Sequence, residues 1–210
     1  PRYAIPVAGV GTEISILPPT ITLDSLREAV RCLSPRANNS ELMFIRHQAP
    51  TADRQSLERF FSSFWLDRNE TNPAYEWNEY NKLVQFANKK FGIAYTGYDS
   101  GRGYYFCRYG QPDHVTGNIF SSSVYTYEIW HYYEIEDQRD AKFVFYSHDY
   151  ASNTFELLHS NLVGEVNNPQ WLHHLYRWPS SINVDYEDQD FRDYLDYYGE
   201  QILEEYNNPY

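Results

Sequence analysis

The chain has 210 residues with 17 Lys+Arg against 29 Asp+Glu, a net charge of −12. That length buries a core without disulfide staples, and that charge repels a phosphate backbone, which argues against generic DNA or RNA binding. Aromatic residues make up 18% of the chain, but no apolar run reaches the roughly 20 residues a membrane-spanning helix needs.

Residues 1–21 carry Pro1, Pro6, Gly9, Gly11, Pro18 and Pro19 and read as an extended arm that packs on something else. Thr22 to Ser25 supply side chains that cap a first helix, which runs to about Leu33 and stops at Ser34-Pro35. Arg36 to Ser40 are a polar break before the apolar patch Leu42 to Ile45. Thr51-Ala52-Asp53 opens a second helix with Leu57, Phe60, Phe61, Phe64 and Trp65 on one face. A third helix follows Asn72-Pro73, carries Tyr75, Tyr80, Leu83, Val84, Ala87 and Phe91 on a stripe, and ends at Gly92.

From Gly92 the hydrophobic period shortens to 2. Tyr104–Tyr109, Tyr125–Tyr133, Lys142–Asp149 and the shorter Phe155–His159 read as successive antiparallel strands. Residues 164–181 are irregular, and Phe191, Tyr194, Leu195, Tyr198, Ile202 and Leu203 form the stripe of a last helix. Residues 180–210 hold nine acids and one arginine. The expected architecture is α+β: helices packed on an antiparallel sheet of three to five strands, with an acidic C-terminal helix attached by one apolar stripe. Three segments follow, 1–40 as arm and short helix, 41–180 as the α+β domain and 181–210 as the acidic helix.

Phe64 to Asn69, Asn78-Glu79-Tyr80, Ala87-Asn88 and Phe91, followed by Gly97-Tyr98-Asp99-Ser100-Gly101, resemble the GWxTD domain family. Tyr98, Ser100 and Gly101 stand where the naming motif has Trp, Thr and Asp. The continuation Arg102-Gly103, Arg108-Tyr109-Gly110-Gln111-Pro112-Asp113 and Tyr127-Glu128-Ile129-Trp130-His131-Tyr132 matches better, and Arg108 to Asp113 with Glu128 to Tyr132 is the most specific part of the likeness, which extends over about residues 60–178. The resemblance implies an exported protein of Bacteroidota or related bacteria, periplasmic or outer-membrane-associated, and brings no established catalytic mechanism.

Read physically, Gly97, Gly101 and Gly103 allow positive φ in a tight loop before a strand, Ser100 lies among them, and Gly110 to Asp113 turn out of that strand. Arg102 is expected to be buried with its guanidinium on carbonyls or on a nearby acid such as Asp99 or Asp113. These residues then fix architecture rather than perform chemistry.

The other candidate chemistry is incomplete. His131, His148 and His159 fall on different predicted strands and lack metal-ligand spacing, so they read as histidines hydrogen-bonded among tyrosines. His173 and His174 are adjacent and diverge. Glu128, Asp113 and Asp149 are the carboxylates a glycosidase would pair, and Ser121-Ser122-Ser123 reads as a hairpin loop. Asn183, Asp185, Glu187, Asp188 and Asp190 resemble a loose calcium loop without its central Gly and distal Glu, or else acids gathered at a helix start. No other cofactor is expected. Cys32 and Cys107 read as small buried residues, with a disulfide permitted and not implied.

The sequence therefore points to a non-catalytic structural or accessory subunit, held to a protein partner by the arm and by Trp171, Tyr176 and Trp178. The alternative is a protein that binds or hydrolyses glycans, with those aromatics as platforms and paired carboxylates as acids.

Overall fold

The computed structural model describes residues 16–18, 20–92, 96–118, 124–148, 154–177 and 197–208, and within them the fold is α+β. The chain divides into two compact units, Pro1–Lys82 and Leu83–Tyr210, and the division falls inside one helix.

The first unit is helical. Helix α1 (Leu23–Arg31) starts where Thr22 accepts a hydrogen bond from the Ser25 N–H and buries Leu26, Ala29 and Val30. Helix α2 (Asn39–His47) occupies the segment that the sequence left as a polar break and an apolar patch. Its start is a capping box: Asn38 accepts from the Glu41 N–H, and the Glu41 carboxylate accepts from the Asn38 N–H. Helix α3 (Arg54–Leu66) is capped by Asp53 and buries Leu57, Phe61, Phe64 and Trp65. Helix α4 (Pro73–Phe91) sets Trp77 edge-on to Phe61 at 4.9 Å and Tyr80 against Trp65 at 5.4 Å. The Tyr80 hydroxyl donates to the Cys32 carbonyl, which ties α4 to the end of α1. Arg68 grips Glu41 with both Nη atoms, at 3.0 and 2.9 Å, and lies 3.4 Å over the Phe64 ring.

The second unit is a four-stranded antiparallel meander between two helical layers. Ahead of the sheet, helix α5 spans Gly101–Tyr109. Strands β1 (His114–Asn118), β2 (Thr126–Ile135), β3 (Gln138–Ser147) and β4 (Glu156–Ser160) lie side by side in chain order. Side chains alternate between faces along each strand. Trp130 and Phe143 are directly opposite on one face, as are Glu128 and Phe145. That face carries Phe91 from α4 and Tyr105, Phe106 and Tyr109 from α5. The other face carries Tyr127, Ile129, Val144 and Leu158, which pack on Trp171, Leu172 and Leu175 of helix α6 (Trp171–Leu175) and on Ile202 of helix α7 (Tyr197–Asn207).

Two expectations need correction. The predicted strand Tyr104–Tyr109 is helix α5, so the switch of period falls after Gly110 rather than at Gly92. The aromatic run imitates a strand, but Ser100 caps a helix there through the Gly103 N–H and Gly110, at φ 85°, ends it. The first strand is instead β1, a short polar segment that the sequence reading passed over. Residues 164–181, read as irregular, contain α6. The arm through residue 15, Asp149, Ser121 to Ser123, Trp178 and the acidic loop 183–190 lie outside the described residues.

Candidate functional site

The family motif folds as a turn of 3-10 helix at Gly97–Asp99 leading into α5. Asn88 on α4 accepts the Tyr98 N–H on its Oδ1 at 3.2 Å, and Tyr98 is buried. Ser100 does two things at once. Its hydroxyl donates to the Gly97 carbonyl at 2.6 Å and accepts the Gly103 N–H at 3.1 Å. A threonine hydroxyl makes the same pair of bonds, which explains why Ser can stand in the motif's Thr position.

None of Gly97, Gly101 and Gly103 has positive φ; among the described glycines that conformation belongs to Gly110, Gly117 and Gly164. The expectation of a left-handed loop is corrected: the three glycines are there for close approach. A Cβ on Gly97 would lie 2.0 Å from the Ala87 carbonyl oxygen, and one on Gly103 would lie 1.8 Å from the Gly97 carbonyl oxygen. Gly101 explains the motif's lost aspartate, since a Cβ there would lie 2.2 Å from the Phe155 carbonyl oxygen. Gly101→Asp, which restores the family residue, is therefore expected to destabilise the chain by about 3 kcal/mol or more. Thermal melting checks it, and a variant as stable as the parent would show that the Phe155 backbone yields easily.

Arg102 is 6% exposed, and its Nη1 donates to Glu128 Oε1 on β2 at 2.5 Å. Among the described acids the one it bonds is Glu128 rather than Asp99 or Asp113, the acids close by in sequence. Glu128 Oε2 accepts the Trp130 indole N–H at 2.9 Å. The guanidinium lies 3.7 Å from the Phe155 ring centroid and 5.1 Å from that of Phe91. Burial outweighs the Glu128 charge and brings Arg102 below the ordinary guanidinium value. Arginine suits this slot because a planar cation can bond a carboxylate in its plane while its faces stack on rings.

The second half of the motif is also bonded within the fold but lies nearer the surface, with Arg108, Tyr109 and Gly110 half-buried and Asp113 exposed. The Tyr109 hydroxyl donates to Glu165 at 2.5 Å and accepts from Arg108 Nε at 2.9 Å, while Arg108 lies 3.4 Å from Glu165. Burial, reinforced by Glu165, pushes Tyr109 up to about 12. The Gly110 carbonyl accepts from the Tyr132 hydroxyl at 3.0 Å, and Asp113 accepts the Tyr133 N–H at 2.7 Å, fixing the Gly110–Asp113 turn through Pro112 onto β2.

The structure thus gathers Gly97, Ser100, Arg102, Gly103, Glu128 and Trp130 into one network and Arg108, Tyr109 and Glu165 into another. Glu165 was missed by the sequence reading; only its proximity to a predicted strand end could have suggested it. Trp171 is buried against His159 and Tyr206, and Tyr176 pairs with Val124 in an isolated bridge. His131 bonds Asp140, His148 bonds Tyr146 and His159 bonds Tyr206. Among the described residues no group of three or more His, Cys, Asp or Glu is placed to hold a metal ion. Cys32 and Cys107 are both buried and not disulfide-bonded, and the Cys32 thiol donates to the Ala29 carbonyl at 3.2 Å.

These features define an α+β protein in which a glycine-tight helix is fastened to one face of a meander sheet by a buried arginine–glutamate pair. The family model of the GWxTD domain matches residues 9–180, and the chain belongs to that family. No curated protein and no solved structure matches it. Among the described residues no helix is long and apolar enough to cross a membrane.

Proposed function

We propose that this chain is a non-catalytic structural or accessory subunit of an exported assembly at the cell envelope. The supporting observation is how the motif is used. Arg102 and Glu128 neutralise each other, Glu128 also accepts from Trp130, and Ser100 and the glycines hold backbone against backbone. A catalytic acid, base or nucleophile has to face the atoms it acts on, whereas these groups face one another. Export and the envelope location rest on the family resemblance, and partner binding rests on the aromatic composition.

Fractionation of the source cells followed by native-mass measurement of the mildly solubilised chain tests the reading. The expected result is recovery in the envelope fraction at a mass well above the 24.9 kDa of one chain. Recovery as a free monomer from the cytosol would overturn it.

A further inference from the structure

We propose that α7 is a proton-released latch on the second face of the sheet, and that His159 is the group that takes up the proton. The hydrogen bonds assign the ring's tautomer. The Asn168 backbone N–H donates to His159 Nδ1 at 3.1 Å, so that nitrogen carries no proton. The proton of the neutral ring is on Nε2, 3.0 Å from the Tyr206 hydroxyl, to which it donates. The ring is 6% exposed and lies parallel to Trp171, with centroids 5.9 Å apart. A second proton has to enter at Nδ1, where it meets the Asn168 N–H donor to donor.

The surrounding charges do not offset that proton. Lys142 on β3 shares the face with His159, diagonal to it because Val144 is the residue opposite, and its Nζ lies 4.9 Å from the Tyr206 ring centroid. Asp140 is taken up by Lys142 at 3.0 Å and by His131 at 2.5 Å. Glu205 on α7 accepts from the Tyr127 hydroxyl of β2 at 2.9 Å. On the α6 side His174 reaches the Asn168 side chain at 3.1 Å. Burial lowers the His159 pKa below its ordinary 6.5 and outweighs a backbone hydrogen bond at Asn168 that acts the other way.

A charged imidazole in this position gains water only if a covering element leaves. The loop after β4 is tied down by main-chain and hydroxyl bonds, including Ser160 N–H to the Val166 carbonyl at 2.7 Å and Ser160 Oγ–H to the Lys142 carbonyl at 2.8 Å. Helix α7 is held by side chains: Tyr206 on His159, Lys142 and Trp171, Glu205 on Tyr127, and Ile202 in the core. It is the weaker cover and the one that opens. The sign follows from linkage. The docked state binds the proton less tightly than the undocked state, so docking is strongest above 6.5 and weakens as pH falls below it, by up to about tenfold per pH unit.

Hydrogen–deuterium exchange of the full chain at pH 7.5 and 5.5, corrected for intrinsic exchange, tests this. Protection of residues 197–208 is expected to fall about tenfold at the lower pH while residues 126–147 stay protected. His159→Gln presents an amide oxygen to Asn168 and an amide N–H to Tyr206 without titrating, so its α7 protection is expected to be the same at both pH values. Equal protection at both pH values in the parent, or a fall that persists in the variant, overturns the proposal. Should the variant not fold, NMR titration of His159 in the parent decides: a pKa below 6.5 that tracks the opening of α7 supports the latch, and one at or above 6.5 overturns it.

Discussion

Arg102→Ala is expected to lower stability by about 3–5 kcal/mol, because it leaves Glu128 charged and part-buried with its cation gone. The loss also strips a ring contact from Phe155 and from Phe91. Denaturant unfolding checks it as a lower midpoint with an unchanged slope. Two further variants separate charge from packing. Arg102→Lys keeps the charge but cannot fill the slot between two rings while bonding the carboxylate, so it is expected to fall between Ala and the parent. Arg102→Met combined with Glu128→Leu removes both charges together and is expected to be far milder than Arg102→Ala alone. A single Ala variant that unfolds like the parent would show that the pair contributes little and that the motif serves something other than the fold.

Gly103→Ala is expected to be at least as damaging, about 3 kcal/mol or more, with Gly97→Ala beside it. In both cases the added methyl meets a backbone carbonyl oxygen at 1.8 to 2.0 Å, of Gly97 in the 3-10 turn or of Ala87 within α4, and helical backbone cannot step aside as a side chain can. Gly110→Ala is the contrasting variant. It faces open space but sits at φ 85° and ψ −163°, a region nearly confined to glycine, so it carries conformational strain alone, about 1–3 kcal/mol. Melting of the three variants should rank Gly110→Ala as the mildest. The reverse order would mean that turn conformation, not close approach, is what the glycine-rich segment supplies.

Much of this architecture can be read from residue spacing. The helix starts within Thr22–Ser25 and Thr51–Asp53, the aromatic stripe of α3 and the strands β2, β3 and β4 follow from patterns a few residues long. The misread elements show where such patterns mislead. Around α5 the run Tyr104-Tyr105-Phe106 has strand-like composition, and the deciding signals were the flanking cap residues Ser100 and Gly110. Before α2, Asn38 and Glu41 already formed the spacing of a capping box inside what looked like a polar break. Strand β1 has a glycine, an asparagine and few apolar residues, and it exists because β2 offers it a ladder.

The Arg102 site was half legible. Burial of the arginine followed from a long cation in a glycine-rich turn, but its partner is 26 residues away on another element. Proximity in sequence favoured Asp99 and Asp113, while register decides which β2 side chain faces α5, and register appears only when the sheet is assembled. Glu165 escaped for the same reason, being 56 residues from the tyrosine it binds.

The meander order of the sheet has a consequence for how the chain assembles. Every strand pairs with its neighbour in sequence, and β2 and β3 are joined at Glu136-Asp137, so this hairpin closes a short loop and nucleates cheaply, with β1 and β4 adding to its two edges. The bonds of α7 span 47 residues to His159 and 78 to Tyr127. In a chain made from its N-terminus, α7 follows the strands and the α6 it packs beside, so truncation before residue 197 is expected to leave the sheet's second face covered by α6 alone.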